Sequence, residues 1–239
     1  MNAFRLWVYL QTTPLFWLAT TLGAFIVADA LARFARRNPL VNPVLVSVAL
    51  VAALLRLTAT DYQTYFNGAQ FVHFLLGPAT VALALPLYEH RRRVARALVP
   101  MIAALAVGAV VAAASAVLVA QAFGVPRTVL IALVPKSVTA GVAMGISERL
   151  GGDPALTAVL VILTGITGAI IVTPLMNVLR VRDWRARGFA VGLAAHGIGT
   201  ARAFQVNEVA GAFAGIAMGL NALVTAVIAP LVLALLAPG

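Results

Sequence analysis

Lys136 stands inside an apolar stretch that runs from about Leu130 to Ile146. It directly follows Pro135, and hydroxyl and small residues, including Ser137 and Thr139, come after it. A cation in the membrane interior costs about 2.5–3.5 kcal/mol on insertion scales, so a lysine in this position indicates a functional site. Because proline removes a helical hydrogen bond, the stretch predicts an interrupted helix whose break presents an ammonium group, hydroxyls and free amides. Such a group of donors is suited to bind a small carboxylate.

A second polar cluster has the sequence Ala-Ala-His-Gly-Ile-Gly-Thr-Ala-Arg over residues 194–202. Its glycines would let the backbone approach a ligand closely. His196 could hydrogen-bond a substrate or carry a proton, and Arg202 could form a bidentate contact with a carboxylate. The members predicted for the site from this cluster are His196, Gly197, Gly199, Thr200 and Arg202.

Each of these polar side chains also has a structural interpretation that the sequence leaves open. Lys136 and Arg202 could extend toward the membrane surface. Ser137 and Thr139 could bond the backbone groups that the break leaves free, and His196 could be a satisfied packing residue. Three further polar residues are secondary candidates for the site: His73, Thr80 and Asn221. Hydrogen bonding between packed helices is the alternative role for such groups.

The composition indicates what kind of protein carries these clusters. Hydrophobic residues make up 62% of the 239 residues and charged residues 10%, and the mean hydropathy is +1.01. Soluble domains carry about 25% charged residues, and only helices or closed barrels satisfy the backbone in a bilayer. Since the apolar runs are long and do not alternate, they predict an all-α polytopic membrane protein rather than a barrel.

The net charge of +10 does not indicate a nucleic-acid partner. Most of the arginines cluster in three short loops between apolar runs, at about 33–37, 91–96 and 180–187, which is typical of cytoplasmic loops. Cysteine is absent, which excludes disulfides and thiolate metal sites. The sequence has no metalloprotease, nucleophile-elbow or phosphate-loop motif, so no enzyme activity, cofactor or metal is predicted.

Charge and hydropathy together predict roughly six spanning helices in a single domain over residues 1–239. The spans are predicted at about 14–32, 42–57, 71–88, 98–120, 156–179 and 208–236. With all three basic loops in the cytoplasm, the N-terminus lies outside, and two segments, 129–149 and 188–205, fit as broken helical hairpins that re-enter from opposite faces. The alternative is two plain crossings, with one basic loop on the outer side. A short likeness between 77–81 and 134–138 also suggests inverted repeats.

Three runs, at 70–84, 135–139 and 194–202, resemble the LrgB/CidB family of bacterial inner-membrane proteins, and the resemblance covers nearly the whole chain. That family was first described as holin-like or antiholin-like, modulating murein hydrolase activity and cell lysis with a small LrgA/CidA partner. A plant chloroplast member that fuses both parts resembles a glycolate/glycerate translocator, and some bacterial pairs resemble pyruvate carriers. The sequence departs from the family pattern at Ala140-Gly141, where many members carry Thr-Pro, and this bears on the shape of the predicted hairpin tip.

The residues and the resemblance favour a secondary carrier of small monocarboxylates such as pyruvate, glycolate or glycerate, working by alternating access around the cationic site. The alternative is an antiholin-like modulator of murein hydrolase activity and cell lysis that acts with a small LrgA/CidA-type partner. A third hypothesis is a membrane scaffold without permeation. The expected location is the bacterial inner membrane, and the expected partners are a small organic anion, the lipid bilayer, the small membrane protein and further copies of the chain.

Overall fold

A computed structural model of the chain describes residues 13–38, 40–75, 78, 81, 88 and 91–237. Within these residues all regular structure is helical, which confirms the all-α prediction. Four helices are long and apolar enough to cross a membrane, at Pro14–Phe34, Leu98–Ala122, Pro154–Val178 and Glu208–Leu236, and Pro43–Leu57 is a shorter apolar helix. Most of the span predicted at 71–88 lies outside the described residues.

The chain forms two compact units, residues 1–82 and 83–239, and the organisation as a single domain stays a prediction. The first unit contains α1 (Pro14–Phe34), α2 (Pro43–Leu57) and α3 (Tyr62–Phe74). The side chain of Asn42 starts α2 by accepting hydrogen bonds from two first-turn amides, at 2.9 and 3.3 Å. Gly68 of α3 lies so close to α1 that a Cβ there would come within 2.2 Å of the Pro14 carbonyl oxygen.

The second unit carries most of the predicted site. Its helices are α4 (Arg91–Arg96), α5 (Leu98–Ala122), α6 (Arg127–Leu133), α7 (Ala140–Arg149), α8 (Pro154–Val178), α9 (Trp184–Val206) and α10 (Glu208–Leu236). Asp153, Asp183 and Asn207 start α8, α9 and α10, because each side chain accepts hydrogen bonds from amides of the first turn. Polar caps therefore set where these three helices begin.

Among the described residues, two of the three hydrophobic clusters lie along opposite halves of α10. The first joins the C-terminal parts of α5 and α10 to α6, α7 and the start of α8, and its buried members include Val117, Val138, Ala143, Val161 and Ala229. The second joins the N-terminal parts of α5 and α10 to the first half of α9, through Met101, Leu105, Phe189, Leu193 and Phe213. The interrupted segments α6–α7 and α9 thus pack along different halves of the same long helix.

The helix α9 is broken in its middle. Ala195 has φ −131° and ψ 17°, and His196 has φ 41° and ψ −137°, so neither residue is helical. The positive φ of His196 lies in a region that favours glycine. The break divides α9 into a first half, 184–194, and a second half, 197–206.

The first half of α9 runs along α10 in the same direction as α10. A Cβ on Gly188 would lie 2.0 Å from the Ala210 carbonyl oxygen, and one on Gly192 would lie 2.0 Å from that of Ala214. Two helix backbones can come this close only where small residues face each other. Residue 188 faces residue 210 and residue 192 faces residue 214, so the two helices run parallel here.

The second half of α9 runs back along the same helix. The Thr200 hydroxyl lies 4.0 Å from the Met218 sulfur, whereas Phe204 lies against Gly211, where an added Cβ would come within 2.2 Å of the ring. From the first contact to the second, the chain advances from residue 200 to 204 on α9 but goes back from residue 218 to 211 on α10. The two halves of α9 are therefore antiparallel to each other, with the break at the turning point.

The α6–α7 segment has a comparable interruption. Turns replace the helix after Leu133, where the amides of Lys136 and Val138 bond back to carbonyls three residues earlier at 3.1 Å. The helix resumes at Ala140. Proline at position 135 explains the break, because it cannot donate the hydrogen bond that a continuous helix needs.

The chain just after α7 returns to α6. Arg127, which begins α6, donates a hydrogen bond to the carbonyl of Ala237 just after α10. Gly152, just after α7, lies against Ile131 of α6 and Ser147 of α7, because an added Cβ would come within 2.7 and 2.4 Å of their side chains. The residues that follow α7 therefore lie beside α6, so the chain folds back on itself between them.

Candidate functional site

The side chain of Asn221 connects the two helix breaks. Asn221 lies near the middle of α10 and is 1% exposed. Its amide nitrogen donates to the carbonyl of Leu193, just before the α9 break, at 3.0 Å and to the carbonyl of Ser137, within the α6–α7 break, at 3.4 Å. Its amide oxygen accepts from the Thr225 hydroxyl at 3.2 Å. We call this arrangement the Asn221 junction. It brings together two segments that the sequence predicted to share one site.

Lys136 lies beside the junction, next to Ser137 in the chain. It is the one lysine of the sequence and is partly buried. Among the described residues its ammonium forms no ion pair, since the ion pairs found there join arginines to Asp29 and Asp183. Lys136 is thus a partly buried cation with no carboxylate partner among the described residues. Its positive charge is suited to bind an anion.

The residues after Lys136 differ in their roles. Ser137 is buried, and its carbonyl is the group that Asn221 holds. Thr139 is partly buried and precedes α7, but its side chain makes no capping hydrogen bond to that helix. The Thr139 hydroxyl therefore does not accept a hydrogen bond from the first amides of α7. Uncapped N–H groups at the N-terminus of a helix favour the binding of an anion.

His196 connects the break in α9 to α8. It is 4% exposed, and its Nε2 lies 2.9 Å from the carbonyl oxygen of Val161. Because a carbonyl only accepts, Nε2 carries the hydrogen. The ring packs over Gly165, where an added Cβ would come within 2.6 Å of Cε1. His196 thus has the packing role that the sequence left open as an alternative, and Nδ1 is the ring atom that remains to meet a ligand.

Thr200, Gly199 and Gly197, also predicted for the site, lie at or just after the break in α9 and have different surroundings. Thr200 is buried and donates to the carbonyl of His196 at 2.8 Å, which satisfies a backbone group at the break. Gly199 packs against Ala195, whereas the nearest described atom to a Cβ added at Gly197, outside its own helix backbone, is the Met218 sulfur at 3.8 Å. Gly197 is therefore the position of the pair with space for a ligand beside its backbone.

Arg202 lies away from the junction. It lines a small cavity with Trp184, Arg187 and Ala210 at the N-terminal end of α10. Ala210 and Asn221 are eleven residues apart on one helix, or about 16 Å at 1.5 Å per residue. The structure therefore does not bring Arg202 together with Lys136, and its position matches the alternative of a cation near a helix end.

The secondary candidates have different outcomes. Asn221, predicted only as a secondary residue, is the centre of the junction. His73 lies on α3, but its side chain is outside the described part of the structure, and so is Thr80. The sequence did not point to Leu193 or Val161, because both contribute backbone carbonyls, which carry no residue-type signal.

The comparisons with known proteins agree with the resemblance noted in the sequence. The sequence model of the LrgB-like family matches residues 21–235. The chain is 34% identical to "Uncharacterized protein YxaC" of Bacillus subtilis over 214 residues, covering 89% of this chain and 92% of that protein. It is 38% identical to "Uncharacterized protein YwbG" of the same organism over 192 residues, 80% of this chain and 85% of that protein. No solved structure matches the chain.

A third relative, from another bacterium, also matches most of the chain. The chain is 30% identical to "Holin-like protein CidB" of Staphylococcus epidermidis over 198 residues, which cover 83% of this chain and 86% of that protein. The family match extends over both units of the fold and includes both helix breaks and Asn221. The chain, a bacterial membrane protein, belongs to the LrgB-like family.

Proposed function

We propose that the protein is a secondary carrier of small monocarboxylates such as pyruvate, glycolate or glycerate. The observation that supports this most is the Asn221 junction, at which two interrupted helical segments meet beside the single lysine. Half-helices begin next to the junction at Ala140 and Gly197, and their N-terminal amides favour a carboxylate. The carboxylate would bind the Lys136 ammonium and these amides, with no covalent chemistry.

The proposal includes two re-entrant hairpins, 127–149 and 184–206, that enter the membrane from opposite faces. It is supported by the contact of Gly152, just after α7, with Ile131 of α6, and by the antiparallel halves of α9. The two segments also pack along opposite halves of α10, so their turning points meet near its middle. In other carriers, alternating access is a rocking or gating motion around a site built in this way.

Single cysteines on the cysteine-free chain distinguish hairpins from crossings. Phe123→Cys and Glu148→Cys mark the two ends of the first segment, and Arg182→Cys and Gln205→Cys mark those of the second. All four positions are exposed. A membrane-impermeant maleimide should label the first pair from one side of the membrane and the second pair from the other. Labelling of the two members of either pair from opposite sides would show a plain crossing.

The orientation that we propose places the basic loops in the cytoplasm and the N-terminus outside, in the inner membrane. Two of these loops lie at one end of the second unit, because Arg96 and Arg185 line the same cavity. The positive-inside tendency then assigns that end to the cytoplasm. The side from which Arg182→Cys reacts tests this assignment.

The carrier proposal is tested by uptake of radiolabelled pyruvate and glycolate into proteoliposomes. We expect saturable uptake that Lys136→Ala reduces at least tenfold and Lys136→Arg reduces less. Arg149→Ala is the matched control, because it removes an exposed cation from the far end of α7. Saturable uptake that is unchanged in Lys136→Ala would remove Lys136 from the site, and absence of uptake in the unaltered protein would count against a carrier.

The second candidate function is antiholin-like modulation of murein hydrolase activity and cell lysis, together with a small LrgA/CidA-type partner and in an oligomer. The name of the Staphylococcus relative, a holin-like protein, favours it. A carrier keeps a membrane sealed, whereas a holin-type lesion passes molecules larger than metabolites. Release of an encapsulated fluorescent dextran from liposomes that contain the protein and its small partner would favour this function over the carrier.

A further inference from the structure

An apolar cavity of about 620 Å³ lies between α5 and α9, separate from the Asn221 junction. Its walls include Met101, Ala104, Phe189 and Phe213. Its deep end is closed by Leu193, whose side chain lies against Gly108, where an added Cβ would come within 2.9 Å. These apolar walls offer no hydrogen bonds to a small hydrophilic anion, but they suit a hydrocarbon chain.

The mouth of this cavity is positively charged. Arg96, Asp183 and Arg185 line the mouth, and the same three residues also line an adjoining cavity of about 450 Å³ to which Arg182 is added. Asp183 bonds to Arg185 at 2.6 Å, and this hydrogen bond lowers the pKa of Asp183, so the carboxylate is charged at neutral pH. Three arginines and one carboxylate leave an excess of positive charge.

We infer that this cavity binds an anionic phospholipid, with an acyl chain along the apolar walls and the phosphate at the arginines. Charge complementarity decides the occupant. A zwitterionic lipid would gain less from Arg96 and Arg182, because the cation of its head group offsets its phosphate, and a small soluble anion would gain nothing from the apolar walls. Juxtamembrane arginines are worth about fivefold each in affinity for anionic lipid. The inference concerns a site other than the proposed carboxylate site, and it stands whether or not the protein is a carrier.

The position of the cavity links the lipid to the helix break. Leu193 closes the deep end of the cavity through its side chain, and its carbonyl is held by Asn221. An acyl chain that fills the cavity therefore touches a residue two positions before the break in α9. A bound lipid would stabilise this half of α9 in the position that the structure shows.

The test measures which lipids remain with the purified protein. The full chain is purified in a mild detergent and placed in nanodiscs with equal amounts of phosphatidylglycerol and phosphatidylcholine, and the retained lipids are quantified by native mass spectrometry. We expect selective retention of about one phosphatidylglycerol. The double variant Arg96→Gln and Arg185→Gln should retain on the order of 25-fold less. Ala104→Trp, which fills the cavity and leaves the arginines in place, should also reduce retention.

The matched control removes the same amount of charge elsewhere. Arg36 and Arg180 belong to two of the basic loops but do not line the cavity. A double variant with Gln at both positions should retain phosphatidylglycerol like the unaltered protein. Equal losses in the two double variants would show general attraction of the basic surface and would overturn the inference. Equal retention of both lipids by the unaltered protein, or full retention by Ala104→Trp, would overturn it as well.

Discussion

The side-chain amide of Asn221 donates a hydrogen bond to the backbone carbonyl of Ser137, 84 residues earlier in the chain, at 3.4 Å. The same nitrogen donates to the carbonyl of Leu193 at 3.0 Å. A single buried side chain thus satisfies backbone groups from two interrupted segments, which could not satisfy them within a helix. Any motion that separates the two breaks must break one of these bonds, so Asn221 couples the α6–α7 segment to α9.

Replacement of Asn221 by leucine should destabilise the protein. Two buried carbonyls would lose their donor, and an unsatisfied buried acceptor costs about 1–3 kcal/mol. We expect a lower midpoint of thermal unfolding in detergent, measured by tryptophan fluorescence. Thr225→Val is the matched control, because it removes only the donor to the Asn221 amide oxygen. Its cost should be about 0.6 kcal/mol, the average for such bonds in a membrane protein. Equal costs for the two variants would show that the carbonyls find other donors.

Substitution of Gly192 by alanine should disrupt the packing of α9 on α10. The new Cβ would lie 2.0 Å from the Ala214 carbonyl oxygen, so the two helices would have to separate. Overpacking of this kind costs about 1–3 kcal/mol or more, and we expect a lower unfolding midpoint and a lower yield of monodisperse protein in gel filtration.

Gly219→Ala provides the control for this change. Gly219 lies on α10, and an added Cβ there meets no described atom within 4 Å. The unfolding midpoint of Gly219→Ala should equal or exceed that of the unaltered protein, because alanine has the higher helix propensity. Two equally stable alanine variants would mean that α9 and α10 do not pack as closely as described.

The sequence predicted the helix breaks better than it predicted the contacts between them. Pro135 predicts the first interruption through backbone chemistry that is local to the residue. The second break falls at Ala195 and His196, next to the glycines from which the sequence predicted only a close approach of the backbone to a ligand. The role of Asn221 depends on two carbonyls far away in the chain, so no local pattern could give it. The sequence left two positions open for Arg202, at the site or near a helix end. The second is the one observed, because the half-helix after the break reverses direction and carries its last turns away from the junction.

Replacement of His196 by glycine should stabilise the protein relative to replacement by alanine. Both variants lose the ring and its bond to the Val161 carbonyl, but only glycine accepts φ 41° and ψ −137° without strain. Such a backbone state costs another residue about 1–3 kcal/mol. In an ordinary helix the order is reversed, because glycine is about 1 kcal/mol worse than alanine.

The comparison of thermal unfolding midpoints for His196→Gly and His196→Ala therefore tests the break itself. A more stable alanine variant would indicate a continuous helix through residue 196. Uptake by the glycine variant gives a second, separate result. If Nδ1 contacts the substrate, uptake falls although the fold is at least as stable as in the alanine variant, and unchanged uptake would restrict His196 to its bond with Val161.

Substrate should protect Lys136 from an amine-reactive reagent. Lys136 is the one lysine in the sequence, so the N-terminus is the only other amine on the polypeptide, and mass spectrometry separates the two products. A carboxylate bound to the ammonium blocks its reaction, and at about ten times its Kd the substrate should slow labelling about tenfold. The rate of labelling at the N-terminus should not change.

Ethylene glycol is the control for glycolate in this measurement, because it has a similar size and no carboxylate. If the ammonium recognises charge, glycolate protects Lys136 and ethylene glycol does not. Equal protection by both compounds would show that the site recognises shape or hydroxyl groups instead. If neither compound protects, the anion binds elsewhere, and the arginines at the N-terminal end of α10, Arg187 and Arg202, become the next positions to substitute.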